Sequence, residues 1–142
     1  MESDEMLWNR HLAAYSAADA LYRQGKIRAA IPAFKAALAL APTDSDTLWA
    51  LGDCYSEAGR ARKAELSFRK AWLLAPYSKR GDLLYNIANA LFDQRRPQAA
   101  LILYRRVPRH SSAHSLARRN ALLAARMAAN SSRPLCGRNR GG

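Results

Sequence analysis

The sequence predicts an all-α fold assembled from stacked helical hairpins, and three observations lead there. Alanine occurs 29 times among 142 residues and valine once, at Val107; Ala, with Leu, Arg and Gln, favours helix because these side chains lose little freedom in it. No segment alternates apolar and polar residues over a strand's length between turn signals. The third observation is a repeat. At an offset of 34 residues Gly25 falls on Gly59, Ala30 on Ala64, Phe34 on Phe68, Ala37 on Ala71 and Pro42 on Pro76, while Leu21 falls on Tyr55. A fixed period of this length marks stacked supersecondary units. A degenerate third copy follows at a spacing of 36, through Leu84, Ile87, Ala88, Leu91, Ala100, Tyr104 and Val107, after two inserted residues near Lys79 and Arg80.

Each unit reads as two helices. In the second, Leu48, Leu51, Gly52 and Tyr55 recur at helical spacing, Gly59 supplies the positive φ of a helix C-cap, and Ala64, Phe68, Ala71 and Trp72 form the stripe of the return helix. Pro76 closes the unit. Small residues at Gly52 and Ala64 let the helices approach closely, with Phe68 and Trp72 expected in the core. One hairpin cannot cover its own apolar face, so neighbours must stack on it. After Ser111 and Ser112, either a helix cap, residues 113–129 carry Leu116, Leu123 and Met127 on one face with Arg118, Arg119 and Arg126 elsewhere. They read as a helix that covers the last repeat. Residues 130–142, NSSRPLCGRNRGG, lack an apolar period and read as a disordered basic tail.

At these residues the sequence resembles the tetratricopeptide repeat family, whose pattern places an aromatic, Leu, Gly, Tyr, then Ala, Phe, Ala and Pro at these intervals. The resemblance covers about three quarters of the chain. It implies a right-handed α-solenoid of three hairpins, about 11–44, 45–78 and 81–114, within a domain spanning 1–129. Departures carry expectations of their own. Pro32 falls inside the second helix and should bend it; Arg95 replaces the turn glycine of the third repeat; Pro108 arrives before the last helix would finish. Cys54 sits where the repeat wants a small residue and reads as a packed thiol.

The resemblance further implies that the first helices line a concave groove. Its inner positions become Leu12, Tyr15, Asp19 and Tyr22 in the first repeat and Asp46, Trp49, Asp53 and Glu57 in the second. In the third they become Asp82, Tyr85, Asn86, Asn89, Phe92 and Asp93. Six of the eleven acids fall on this face, while Lys35, Arg62, Lys63, Arg69, Lys70, Arg105 and Arg106 fall on return helices. The domain should be acidic inside and basic outside. Rigid aromatics between carboxylates suit a basic peptide or helix with apolar anchors. In the family, asparagines such as Asn86 and Asn89 often bond the backbone of a bound peptide. One subgroup grips the terminal carboxylate of chaperone tails with Lys, Asn and Arg; the assigned positions here hold Tyr15, Asp19, Ala50, Asp82 and Asn86, so that clamp is missing.

Charge divides unevenly along the chain. Residues 1–93 hold 12 basic and 11 acidic side chains, whereas 94–142 hold 11 arginines and no acid, within a net charge of +12. Two consequences follow. Arg133, Arg138 and Arg140 could fold back onto the groove acids, and the arginines together could contact nucleic acid or an anionic surface, an alternative resting on composition alone. Other classes find no support. There is no Gly-rich phosphate loop, HExxH or GxSxG, so neither catalysis nor a cofactor is expected. Cys54 and Cys136 with His11, His110 and His114 form no zinc pattern, and the histidines read as surface or capping residues. No run approaches a membrane span, and the acidic start MESDEMLW lacks a secretory h-region, which points to the cytoplasm. Trp8, Leu12, Tyr15 and Tyr22 share helical spacing and could line the groove end or meet a second copy in a larger complex. The sequence therefore reads as a non-catalytic adaptor or scaffold.

Overall fold

Three turns of left-handed backbone reverse the chain between paired helices. In the computed structural model, which describes residues 1–133, Gly25, Gly59 and Arg95 have φ of 75°, 74° and 57°. The amide after each donates back to a carbonyl of the helix just ended: Lys26 to Leu21 at 2.9 Å, Arg60 to Tyr55 at 2.8 Å, Arg96 to Leu91 at 3.0 Å. This closure satisfies an orphaned carbonyl and reverses the chain within a few residues. The paired helices are α1 (Asp4–Arg23) with α2 (Ile27–Leu40), α3 (Ser45–Glu57) with α4 (Ala61–Leu74), and α5 (Tyr77–Asp93) with α6 (Pro97–Arg106). Helix α7 (His114–Ser131) follows, and no strand occurs among the described residues. Arg95 thus adopts the conformation for which the first two turns use glycine, its side chain exposed to water.

Consecutive helices pack on one another from α1 to α7, α3 also touches α1, and α7 also touches α5. The repeat supplies the core in register. Ala18, Gly52 and Ala88 are buried on first helices; Ala30, Ala64 and Ala100, then Phe34, Phe68 and Tyr104, are buried on return helices. At Gly52 the contact is very close, since an added Cβ would lie 2.5 Å from the Phe68 ring. Cys54 is wholly buried, as the sequence predicts, and burial pushes its thiol up to about 11. Pro32 leaves α2 unbroken. It lies on the exposed side, where water can bond the carbonyl that the proline cannot reach. Helix α6 is shorter than α2 and α4, ending two residues before Pro108.

Several expectations need correction. His11 is a core residue, not a surface one: Nδ1 lies 2.9 Å from the Ala37 carbonyl and Nε2 lies 3.1 Å from Asp44 Oδ2. It ties α1 to the turn ahead of α3, whose N-terminal amide at Thr47 donates to the same Asp44 carboxylate. Ser111 and Ser112 do not cap α7, whose N-cap is Ala113; both hydroxyls donate to Asp82 on α5. Helix α7 buries Ala117, Ala121, Ala124 and Ala128, while Leu116, Leu122 and Leu123 face outward. Small residues face the core because α7 packs against both α5 and α6, as the alanines of the repeats do elsewhere. The helix continues to Ser131, past the expected boundary at 130, and the expected tail from residue 134 on, with Cys136, Arg138 and Arg140, lies outside the described residues.

A buried acid locks the second hairpin to the third. Glu65 Oε1 accepts from Arg62 at 2.9 Å and Gln94 at 3.0 Å, and Oε2 accepts from Arg69 at 2.7 Å, with Arg96 3.4 Å away. Burial alone would raise its pKa; the hydrogen bonds from Gln94, Arg69 and Arg62 outweigh it and hold the carboxyl below its usual range. A lowered acid stabilises the fold above its unfolded pKa and loses that contribution as pH falls through its folded value. Glu65→Gln should therefore cost about 2 kcal/mol at pH 7, measured by urea unfolding, and reduce the loss of stability below about pH 4. Gly52→Ala should cost about 1–2 kcal/mol, because overpacking against a buried ring exceeds the gain in helix propensity. Adding Phe68→Leu should show a favourable coupling in a double-mutant cycle.

Candidate functional site

The first helices of the first two hairpins leave a hollow between them. It encloses about 380 Å³ and is lined by Tyr15, Asp19 and Tyr22 from α1, Phe34 from α2, and Asp46, Trp49, Ala50 and Asp53 from α3, with Lys79 entering from α5. The periodicity of the sequence explains the gathering. Tyr15, Asp19 and Tyr22 stand four and three residues apart on α1, and Asp46, Trp49 and Asp53 three and four apart on α3, so each trio forms one stripe. Tyr15 is held edge-on to Phe34, centroids 5.5 Å apart.

The acids of this hollow differ in their partners. Asp19 pairs with Arg23 at 2.8 Å, one turn along α1. Asp46 accepts from Lys79 Nζ at 2.7 Å. Glu57, at the rim, accepts from the Tyr22 hydroxyl at 2.6 Å, and this bond, ahead of burial, raises the Tyr22 pKa. Asp53 has no hydrogen-bond or ion-pair partner among the described residues. Burial, then the neighbouring charge of Glu57, pushes its carboxyl up to about 7. Burial followed by Asp19 and Asp46 also raises Tyr15. The site thus combines two aromatic walls with one half-buried acid in search of a counter-charge.

Beyond Lys79 at its edge, the third hairpin adds none of its assigned groove positions to this hollow. Asn89 accepts from the Tyr104 hydroxyl at 2.6 Å and from Asn120 on α7 at 3.3 Å, and Asn120 also lies 3.4 Å from the Tyr85 hydroxyl. Tyr85 stands beside Tyr104, centroids 6.0 Å apart. Asp82 is held by the two serines ahead of α7. Phe92 packs against the core, Asn86 is half-buried, and Asp93 and Leu12 are exposed outside the hollow. Of the fourteen positions assigned to the groove, Tyr15, Asp19, Tyr22, Asp46, Trp49 and Asp53 converge, with Glu57 at the edge. The groove positions read from the sequence did not include Ala50, nor Phe34, read only as the repeat partner of Phe68, nor Lys79, whose place in the two-residue insertion before the third repeat was the available signal.

Among the described residues no group of three His, Cys, Asp or Glu side chains could hold a metal ion, and no helix is long and apolar enough to cross a membrane. No curated protein sequence matches the chain. Solved structures do. The first TPR of Spaghetti (RPAP3), bound to the HSP90 peptide SRMEEVD, is 16% identical with a TM-score of 0.76, over 85% of this chain and 94% of that one. The Yersinia enterocolitica type III secretion chaperone SycD, in complex with a peptide of the translocator YopD, is 20% identical with a TM-score of 0.70, over 92% and 97%. The Sgt2 TPR domain from Aspergillus fumigatus is 20% identical with a TM-score of 0.72, over 94% and 91%. The tetratricopeptide repeat family model matches residues 21–76, from the end of α1 to the close of the second hairpin, so this stretch is similar to that family, and the chain as a whole shares the fold of these solved structures.

Proposed function

We propose that the chain is a non-catalytic adaptor that takes a segment of a partner protein into the hollow between its first two hairpins, with a basic side chain or amine of that segment set against Asp53. The observation that carries this reading is the isolation of Asp53. A half-buried carboxylate without a donor is costly when ionised, and a cation delivered between Tyr15 and Trp49 would relieve that cost while gaining the faces of two rings. Lys79 on Asp46 already provides a cation of that kind from within the chain.

Two solved structures of this fold contain a peptide, one the HSP90 segment SRMEEVD and the other a segment of YopD, which supports peptide binding as the use of this scaffold. The charge preference here is the reverse of that acidic heptapeptide. Asp19, Asp46 and Asp53 would repel clustered carboxylates and steer basic segments inward. A larger complex and a cytoplasmic setting remain part of the same reading.

The test is partner capture and peptide binding with the intact chain and two variants. Trp49→Ala should weaken binding of an arginine-containing partner segment by about 2 kcal/mol, the scale of an aromatic hot spot, and capture should survive nuclease treatment. Capture that depends on nucleic acid and ignores Trp49 would replace this reading with a polyanion bound to the arginines. The pH dependence has a definite sign. Asp53 is protonated below about 7, so affinity for the basic segment should rise on the order of tenfold between pH 5.5 and 8, measured by calorimetry. Asp53→Asn should bind weakly at both pH values. A raised acid stabilises the fold below its unfolded pKa and loses that contribution as pH rises to and through about 7, so the same variant should lose less stability than the parent between about pH 4 and 7.

A further inference from the structure

A second hollow lies among the return helices. It encloses about 320 Å³ between Trp72 and Leu73 of α4 and Leu103 of α6, with Leu84 and Ile87 of α5 behind them and Arg69 and Arg106 beside them. Three features distinguish it from an ordinary crevice. Its wall is apolar and open to solvent, with Leu73 67% exposed above a buried Ile87. Trp72 Nε1 is buried with no hydrogen-bond partner, the one such side-chain atom among the described residues. Both charged side chains that line the hollow are guanidiniums: Arg69, tied to Glu65, and Arg106, which makes no ion pair among the described residues; Arg80 stands over the Trp72 ring at 4.9 Å.

We propose that this hollow is a second docking site, which receives a branched aliphatic or aromatic side chain from an acidic segment of a partner protein. The apolar walls accept the anchor and the guanidiniums accept the carboxylates that flank it. Tryptophan and arginine around a desolvated centre are the side chains from which hot spots are made. The forked geometry of arginine suits paired oxygens of a carboxylate. The unpartnered indole N–H adds a donor for a backbone or side-chain carbonyl once the local packing adjusts to a guest. A nucleic acid would use the guanidiniums but gain nothing from Leu73, Leu84, Leu103 and Ile87. A second copy of the chain is disfavoured by a net charge of +12 on each.

The three tryptophans make the test local. Trp49 lines the concave hollow, Trp72 lines this one, and Trp8 lies on α1 outside both. Indole resonances of the full chain, assigned by single Trp→Phe variants, would be followed during titration with acidic amphipathic peptides. These carry leucine or phenylalanine anchors between glutamates. The Trp72 resonance should move and the Trp49 resonance should stay. An arginine-rich peptide should do the reverse, so failure of either site is visible independently of the other. Leu73→Glu, a change at an exposed position whose fold is checked by circular dichroism, should weaken the acidic peptide by about tenfold. Arg106→Glu should act in the same direction. The inference is overturned if Trp72 does not respond, if peptides with alanine in place of the anchors bind equally, or if a single-stranded oligonucleotide shifts Trp72 as strongly as the anchored peptides do.

Discussion

Within each hairpin, two helices meet where one contributes little or no side chain and the other contributes an aromatic ring. At the second hairpin the approach is so close that the Phe68 ring occupies the space a Cβ on Gly52 would need. The first and third hairpins use Ala18 and Ala88 with Phe34 and Tyr104 at the equivalent places, all buried. This contact determines how near the helices come and which faces of the first helices remain for solvent. Close packing transmits any change of volume into the position of the neighbouring helix. The stripes bearing Tyr15 and Trp49 therefore face one hollow because the residues behind them are small.

The repeat made most of this legible. A 34-residue offset identified the turn glycines, the small residues and the rings, because these positions answer to local geometry and recur wherever that geometry recurs. Arg95 was legible as an exception, and its φ of 57° shows that the turn outranks the residue when the helices on either side are well packed. The unread parts all depend on partners distant in sequence. His11 looked like a surface residue since nothing local indicates that Ala37 and Asp44 will close around it. Asn89 looked available because its partners Tyr104 and Asn120 belong to later helices, and a tyrosine where the other hairpins have phenylalanine brings a hydroxyl that must be satisfied. In α7 a count of hydrophobic residues selects Leu116, Leu123 and Met127, whereas closeness to α5 and α6 selects the alanines.

The same distinction applies to charge. Six acids along the first helices suggested a uniformly negative surface, yet the structure gives most of them separate tasks. Asp19 and Asp46 hold cations, Glu57 holds the Tyr22 hydroxyl, and Asp82 anchors the loop before α7. Formal charge measures the field at a distance, while the energy available to a ligand depends on how much of each charge is already compensated and how dry its surroundings are. By that measure Asp53 differs from its neighbours, being half-buried and without a partner.

The third hairpin and α7 decide the shape in which this chemistry is presented. Stacked hairpins would ordinarily continue the same channel from one unit to the next. Here Asn120 meets Asn89 and Tyr85, and Ser111 and Ser112 meet Asp82, so the polar groups that would continue it are satisfied internally. Opening them to a ligand would leave part-buried donors and acceptors unpaired unless the ligand or water replaced each bond. In the hollow between the first two hairpins, Asp53 bears no such cost, because it has no bond to give up among the described residues. On the proposed reading a partner would meet a pocket with one uncompensated acid and two rings rather than a long furrow, which would favour recognition of a short segment by its anchor over recognition of an extended chain by its backbone.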